Sequence, residues 1–119
     1  MSTAISSVAA RAFVQGKRFS KSNTNVRRNI DGSVEMRLWD NLIARHTVED
    51  GTQVTMAGWG TATTRARLNA ITNELGMRAG FWQHKGDQFY GTHNSVVSGD
   101  ACSVCNRIIS TTEWIRIGV

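Results

Sequence analysis

No proline occurs in the 119 residues, and there are only two cysteines and three histidines. Without proline, chain reversals fall to glycine, asparagine and aspartate. Two cysteines are too few to staple a small secreted scaffold, so a reducing cytosol is the expected setting, with free thiols or a metal instead of a disulfide. No apolar run approaches the roughly 18 residues of a membrane span, and the first residues lack the apolar core of a signal peptide. A membrane partner is therefore not expected. What is present, a 40% hydrophobic fraction and four tryptophans, is enough for one packed core and excludes a disordered chain. The length suits a single domain and leaves little room for a multi-step enzyme.

Acid is missing from one region in particular. The first thirty residues hold Arg11, Lys17, Arg18, Lys21, Arg27 and Arg28, and the first acidic residue is Asp31. The rest of the chain carries eight basic and nine acidic side chains, so the net charge of +5 belongs to the N-terminal quarter. Such a segment attracts phosphates because each neutralised phosphate releases condensed counterions, which makes nucleic acid its commonest physical partner. Two other readings stay open. Ala4, Ile5, Val8, Ala9, Ala12 and Phe13 form a helical stripe in a Ser-rich, acid-free N-terminus, as in an organellar import peptide. The segment could equally be a solvated arm, or one docked on the protein's own mildly acidic body.

The pattern of elements indicates an α+β fold, with a small antiparallel sheet of about five strands on one main helix. A flexible basic arm is expected over residues 1–23 and a single domain over 24–119. Val34, Met36 and Leu38 alternate with Glu35, Arg37 and Trp39 as a half-buried strand, and Asp40–Asn41 suits a reversal into 42–47. Asp50–Gly51 marks the next turn, and residues 52–59 read as a third strand. From Thr64 the period becomes helical: Thr64, Leu68, Ile71, Thr72 and Leu75 share a face, while Arg65, Arg67, Asn69 and Asn73 point away. Threonines 61, 63 and 64 are candidate caps, and Gly76 sits where a helix would end. Residues 81–85 and 88–90 flank Gly86–Asp87 as a second hairpin. Residues 92–106 read as loop, and 107–109 and 114–117 as short strands that either complete the sheet or stay loose.

Three constellations carry possible chemistry. Thr61, Thr63 and Thr64 with Arg65 and Arg67 place hydroxyls, free amides and two cations at a helix N-terminus. Arginines are unfavourable there and an anion would relieve them; the competing reading pairs them with Glu35, Asp40 or Asp50. Cys102 and Cys105 form a CxxC turn that could hold zinc with His93 and His84, although the second ligand pair of a standard finger is missing. Two ordinary buried cysteines, or a redox pair, fit the same residues. Phe81, Trp82, Phe89 and Tyr90, beside His84 and Lys85, suit either core packing or base stacking. No nucleophile elbow or phosphate-binding glycine loop appears. Asp87, His84 and His93 are the only candidates for a metal-dependent nuclease, so no catalytic residue is assigned.

The runs Lys21 to Arg27 (KSNTNVR), Met36 to Ala44 (MRLWDNLIA) and Ala57 to Ile71 (AGWGTATTRARLNAI) resemble a group of small proteins encoded by tailed bacteriophages. The likeness spans roughly residues 21–91, with Asp40 standing where glycine is usual and His84 near the lysine of the strand after the helix. It implies a phage accessory protein acting in the host bacterial cytoplasm. It transfers no activity, no cofactor and no catalytic residue. Trp59 and Leu68 of the recurring segment are expected in the core, leaving Thr61, Thr64, Arg67 and Asn69 as its better functional candidates.

The leading expectation is a non-catalytic nucleic-acid-binding protein that uses its basic arm and the positive start of the helix. On that view, deleting residues 1–30 weakens binding and leaves the body folded. The alternatives are an inhibitor or modulator of a bacterial host protein and a virion or assembly component. Oligomeric state is not legible in the sequence.

Overall fold

Period-two alternation builds most of the protein. In the computed structural model, which describes residues 3–77, 80–91 and 106–118, the chain runs α1 (Thr3–Gln15), β1 (Phe19–Lys21), β2 (Thr24–Arg28), β3 (Val34–Leu38), β4 (Asn41–Thr47) and β5 (Gly51–Val54). It continues through α2 (Ala62–Glu74), β6 (Gly80–His84), β7 (Asp87–Gly91), β8 (Asn106–Ile109) and β9 (Ile115–Gly118). The fold is α+β. Six antiparallel strands form one sheet in the order β1-β2-β3-β4-β5-β9, and β6-β7-β8 form a second. The strands around 34–38 and 41–47 lie where the alternation puts them. Both tail strands are part of the fold, β8 in the small sheet and β9 beside β5 in the large one.

Each strand of the large sheet turns its apolar set to the helices. Val26, Val34, Met36, Leu38, Ala44, Val54, Ile115 and Ile117 are buried there with Leu68 and Ile71 of α2. A bulge between Met36 and Arg37 lets β4 carry one residue more than β3, so that Met36 faces Ala44 and Arg37 faces Leu42. Ile43 is the spare residue, and this is why two neighbours, Ile43 and Ala44, can both be buried.

The N-terminal segment departs most from expectation. Residues 3–15 are helix and not a flexible arm, with Ala9, Ala10, Ala12 and Phe13 buried in the core. The apolar stripe packs chiefly on α2, and its alanines allow a close approach between the two helices. Residues 19–21 add the edge strand β1, paired with β2. The boundary at residue 23 therefore separates no arm from the body.

Two turns fall one residue earlier than the dipeptides suggest. Leu38 pairs with Asn41, so the reversal is Trp39–Asp40, both left-handed at φ 49° and 66°. His84 pairs with Asp87, so the second reversal is Lys85–Gly86, at φ 51° and 85°. Two consecutive positive-φ residues match the right-handed twist of the flanking strands. Aspartate, at position 40, is among the side chains that tolerate this conformation best. The third strand stops at Val54. Ala57 (φ 53°) and Gly58 (φ 86°) then turn the chain, leaving Trp59 52% exposed where the sequence suggested a core residue.

Candidate nucleic-acid interface

At the start of α2 the hydroxyls are consumed by the helix itself. Thr61 is the N-cap: its Oγ1 accepts from the Thr64 backbone N–H at 3.3 Å and lies 3.0 Å from the Thr64 hydroxyl. Thr64 is fully buried, and Thr63 is half-buried. Arg65 donates from Nη1 to the Gly60 carbonyl (3.1 Å), Gln83 Oε1 (2.8 Å) and Gln88 Oε1 (2.9 Å). These uncharged oxygens solvate a cation that the helix dipole would otherwise disfavour, and they fasten the β6–β7 hairpin to the start of α2.

Arg67 does not face solvent, as the helical wheel suggested, but is 98% removed from it, with 2% exposure. Its Nε donates to Thr24 Oγ1 (2.9 Å), Nη1 to Ser6 Oγ and Nη2 to Asn23 Oδ1 (3.1 Å). Position 67 follows Thr64 by three residues and precedes Ile71 by four, so it flanks the buried stripe. Burial pushes the guanidinium below the usual arginine range. Among the described residues neither Arg65 nor Arg67 pairs with an acid. Glu35 instead meets Arg37 at 3.5 Å, Asp50 meets Arg116 at 3.8 Å, and Asp40 offers Arg37 its backbone carbonyl. Asn69 is bound as well, its amide donating to the Phe81 carbonyl (2.9 Å) and its oxygen accepting from the Phe81 N–H.

The N-terminal cations do not form one patch. Arg11, on α1, lies 3.7 Å from Glu74, and Lys17 is exposed just after the helix. Lys21 and Arg28 stand opposite Thr24 and Val34, on the helix side of the sheet's edge. Arg27 stands opposite Glu35 and faces outward, as do Ser20 and Asn25. Arg18 joins Ser20, Asn25 and Arg27 in lining an open groove of about 370 Å³.

Register extends this outer face across the large sheet. Arg27 is opposite Glu35, Glu35 opposite Arg45, Arg45 opposite Gln53 and Gln53 opposite Arg116, giving one continuous row over five strands. Arg37 lies beside it, opposite Asn25. Arg45 donates to Gln53 Oε1 (3.0 Å), and its guanidinium carbon lies 4.4 Å from the centroid of the Trp114 ring. Trp114 precedes β9 with the parity of Arg116, and so falls on the same face. Both helices pack on the opposite side, against the inward set of β1 to β4. The outer face thus gathers Arg18, Arg27, Arg37, Arg45 and Arg116 against Glu35 and Asp50. Four of these residues, Arg37, Arg45, Gln53 and Arg116, together with Trp114, were not candidates from sequence. Each strand's alternation hinted at the outward set, but only the register lines the strands up.

The aromatic hairpin packs: Trp82 stacks on Phe89 (centroids 4.5 Å apart), Phe81 tilts against Tyr90 (4.8 Å), and Phe81 and Phe89 are buried. The zinc candidates Cys102, Cys105 and His93 lie outside the described residues, and His84 is placed only as the end of β6. No group of three or more His, Cys, Asp or Glu side chains able to hold a metal occurs among the described residues. Within the same residues, no helix is long and apolar enough to cross a membrane.

The model of the Kyanoviridae Gp96 protein family matches residues 2–114. The chain belongs to this family. It is a bacteriophage protein, as the runs around Met36 and Trp59 suggested, and the family match extends over α1 and β8, beyond the segment 21–91 to which the resemblance was confined. Comparison with curated proteins and with solved structures finds no match. The family description carries no activity, so what the protein does has to be argued from its surface.

Proposed function

We propose that the protein is a non-catalytic phage accessory protein that binds nucleic acid through the outer face of the six-stranded sheet, acting in the host bacterial cytoplasm. One observation carries this reading: five arginines are collected on a face that no described helix covers, against two carboxylates. Arginine forks match phosphate oxygens, and an excess of them draws a polyanion by counterion release. Arg18 and Arg27 are the share of the basic N-terminal segment that joins this face. The start of α2 drops out of the reading, because Thr61, Thr64, Arg65 and Arg67 already bind protein groups.

Deleting residues 1–30 is not a usable test, since it removes α1 and the buried Ala9, Phe13 and Val26. The test is fluorescence anisotropy of the intact chain with labelled oligonucleotides over a salt series, beside an Arg27→Gln/Arg45→Gln/Arg116→Gln variant. A slope of log affinity against log salt of roughly −2 to −4, reduced by about two in the variant, is the expected result. Absent or salt-insensitive binding would remove the reading.

A second reading, docking on a host protein, has one observation of its own. Trp39 and Trp59 are 54% and 52% exposed, and tryptophan is over-represented where protein partners bind most tightly. A host protein retained from nuclease-treated lysate, and lost with Trp39→Ala or Trp59→Ala, would favour it over nucleic acid.

A further inference from the structure

Resting on that reading, we propose that the ligand is single-stranded nucleic acid, laid across the strands along the Arg27–Glu35–Arg45–Gln53–Arg116 row, with the Arg45–Trp114 stack as a platform for a base. The row crosses four strand spacings, about 19 Å, and its three arginines stand on alternate strands, about 10 Å apart. A major groove about 12 Å wide admits a helix or a two-stranded ribbon, but not a sheet of this breadth. Against a duplex the face could touch only a ridge of phosphates, and its other groups would have nothing to meet.

Those other groups are what point to an open strand. The Arg45 guanidinium carbon lies over the Trp114 ring, 4.4 Å from its centroid, and bases with free π-faces stack on aromatic rings and on guanidinium planes. Gln53 sits in the row between Arg45 and Arg116. Asn25 lies beside Arg37 and lines the groove with Arg18 and Arg27. These amides have both donors and acceptors for base edges, which only an unpaired strand presents along its whole length. Glu35 holds Arg37 at 3.5 Å, so the face is a mixed one and not a uniform polyanion sink. The groove at the β1–β2 end continues the row, giving the strand a path from β9 to the sheet's edge.

The experiment uses the intact chain with a labelled oligothymidine of about twelve nucleotides, a blunt duplex of the same length, and heparin as a polyanion without bases. The oligothymidine is expected to bind at least about tenfold more tightly than the duplex. Trp114→Leu should weaken it by about tenfold, leaving competition by heparin unchanged. Arg45→Lys, which keeps the charge but gives up the guanidinium plane, serves as a second variant should Trp114→Leu fail to fold. Duplex bound as tightly as the single strand, with the arginine dependence intact, would overturn this inference and leave nucleic-acid binding standing. Binding to neither oligonucleotide would overturn both. Equal loss of heparin and oligothymidine affinity in the two variants would overturn the stacking platform.

Discussion

The start of α2 and the outer face of the large sheet are both rich in arginine, hydroxyls and amides, yet they use them in opposite ways. At the helix start Thr61, Thr64, Arg65, Arg67 and Asn69 bind the protein's own groups. Thr61 caps, Arg65 gathers a hairpin, Arg67 ties α1 to β2, and Asn69 completes the hydrogen bonding of β6 at Phe81. On the sheet the same chemistry faces out, with Arg45 on Trp114 and Arg27 beside an open groove. The segment with the most distinctive sequence is thus a set of fasteners, whereas the surface available to a ligand is spread over alternate residues of five strands. A distinctive motif can mark where a fold is held together and not where it acts.

Substitutions should separate the two regions. The largest effect is expected at Arg67: Arg67→Met leaves Ser6, Thr24 and Asn23 without the cation they surround, and chemical denaturation should show a loss of about 3 kcal/mol or more. Arg67→Lys should recover little of it, since a compact ammonium cannot reach Ser6 on α1, Thr24 on β2 and Asn23 in the turn before it at once. Asn69→Ala strips both backbone groups of Phe81 of their partner and should cost about 2 kcal/mol, with faster hydrogen exchange at the Phe81 amide. Thr61→Ala should cost about 1 kcal/mol, the usual value for a lost N-cap. On the sheet, Arg27→Gln and Arg116→Gln should change stability by no more than about 0.5 kcal/mol while weakening oligonucleotide binding. Should the sheet variants unfold and Arg67→Met stay stable, the contrast between the two regions would be reversed.

Local periodicity made part of this legible. The extent of α2, its cap at Thr61 and its stop near Gly76 (φ 73°) follow from signals within a few residues of one another, as do β3 and β4. Long-range terms were not legible. The partners of Arg67 lie 43 and 61 residues away, and a charged side chain looks solvent-bound until those hydroxyls are brought to it. The stripe Ala9, Ala12 and Phe13 was visible, but six cations without an acid outweighed it, and only the docking of α1 on α2 shows that the segment is core. Both hairpin turns slipped by one because Asp40–Asn41 and Gly86–Asp87 suit turns as well as Trp39–Asp40 and Lys85–Gly86, and strand pairing decided between them. The outer face was half visible in Glu35 and Arg37. The bulge at Ile43 and a second shift between Thr52 and Gln53 are what align it with the rest.

The spare residue at Ile43 also sets what the gene can lose. A one-codon deletion there would leave every pairing between β3 and β4 unchanged, at the cost of one core side chain, because the ladder would simply run straight. At Arg45, where no spare residue exists, the same deletion would bring His46 to the outer surface in its place and carry the strand beyond it out of step with β5. Length variation in this hairpin should therefore collect at one codon, with the arginine row reading through it undisturbed.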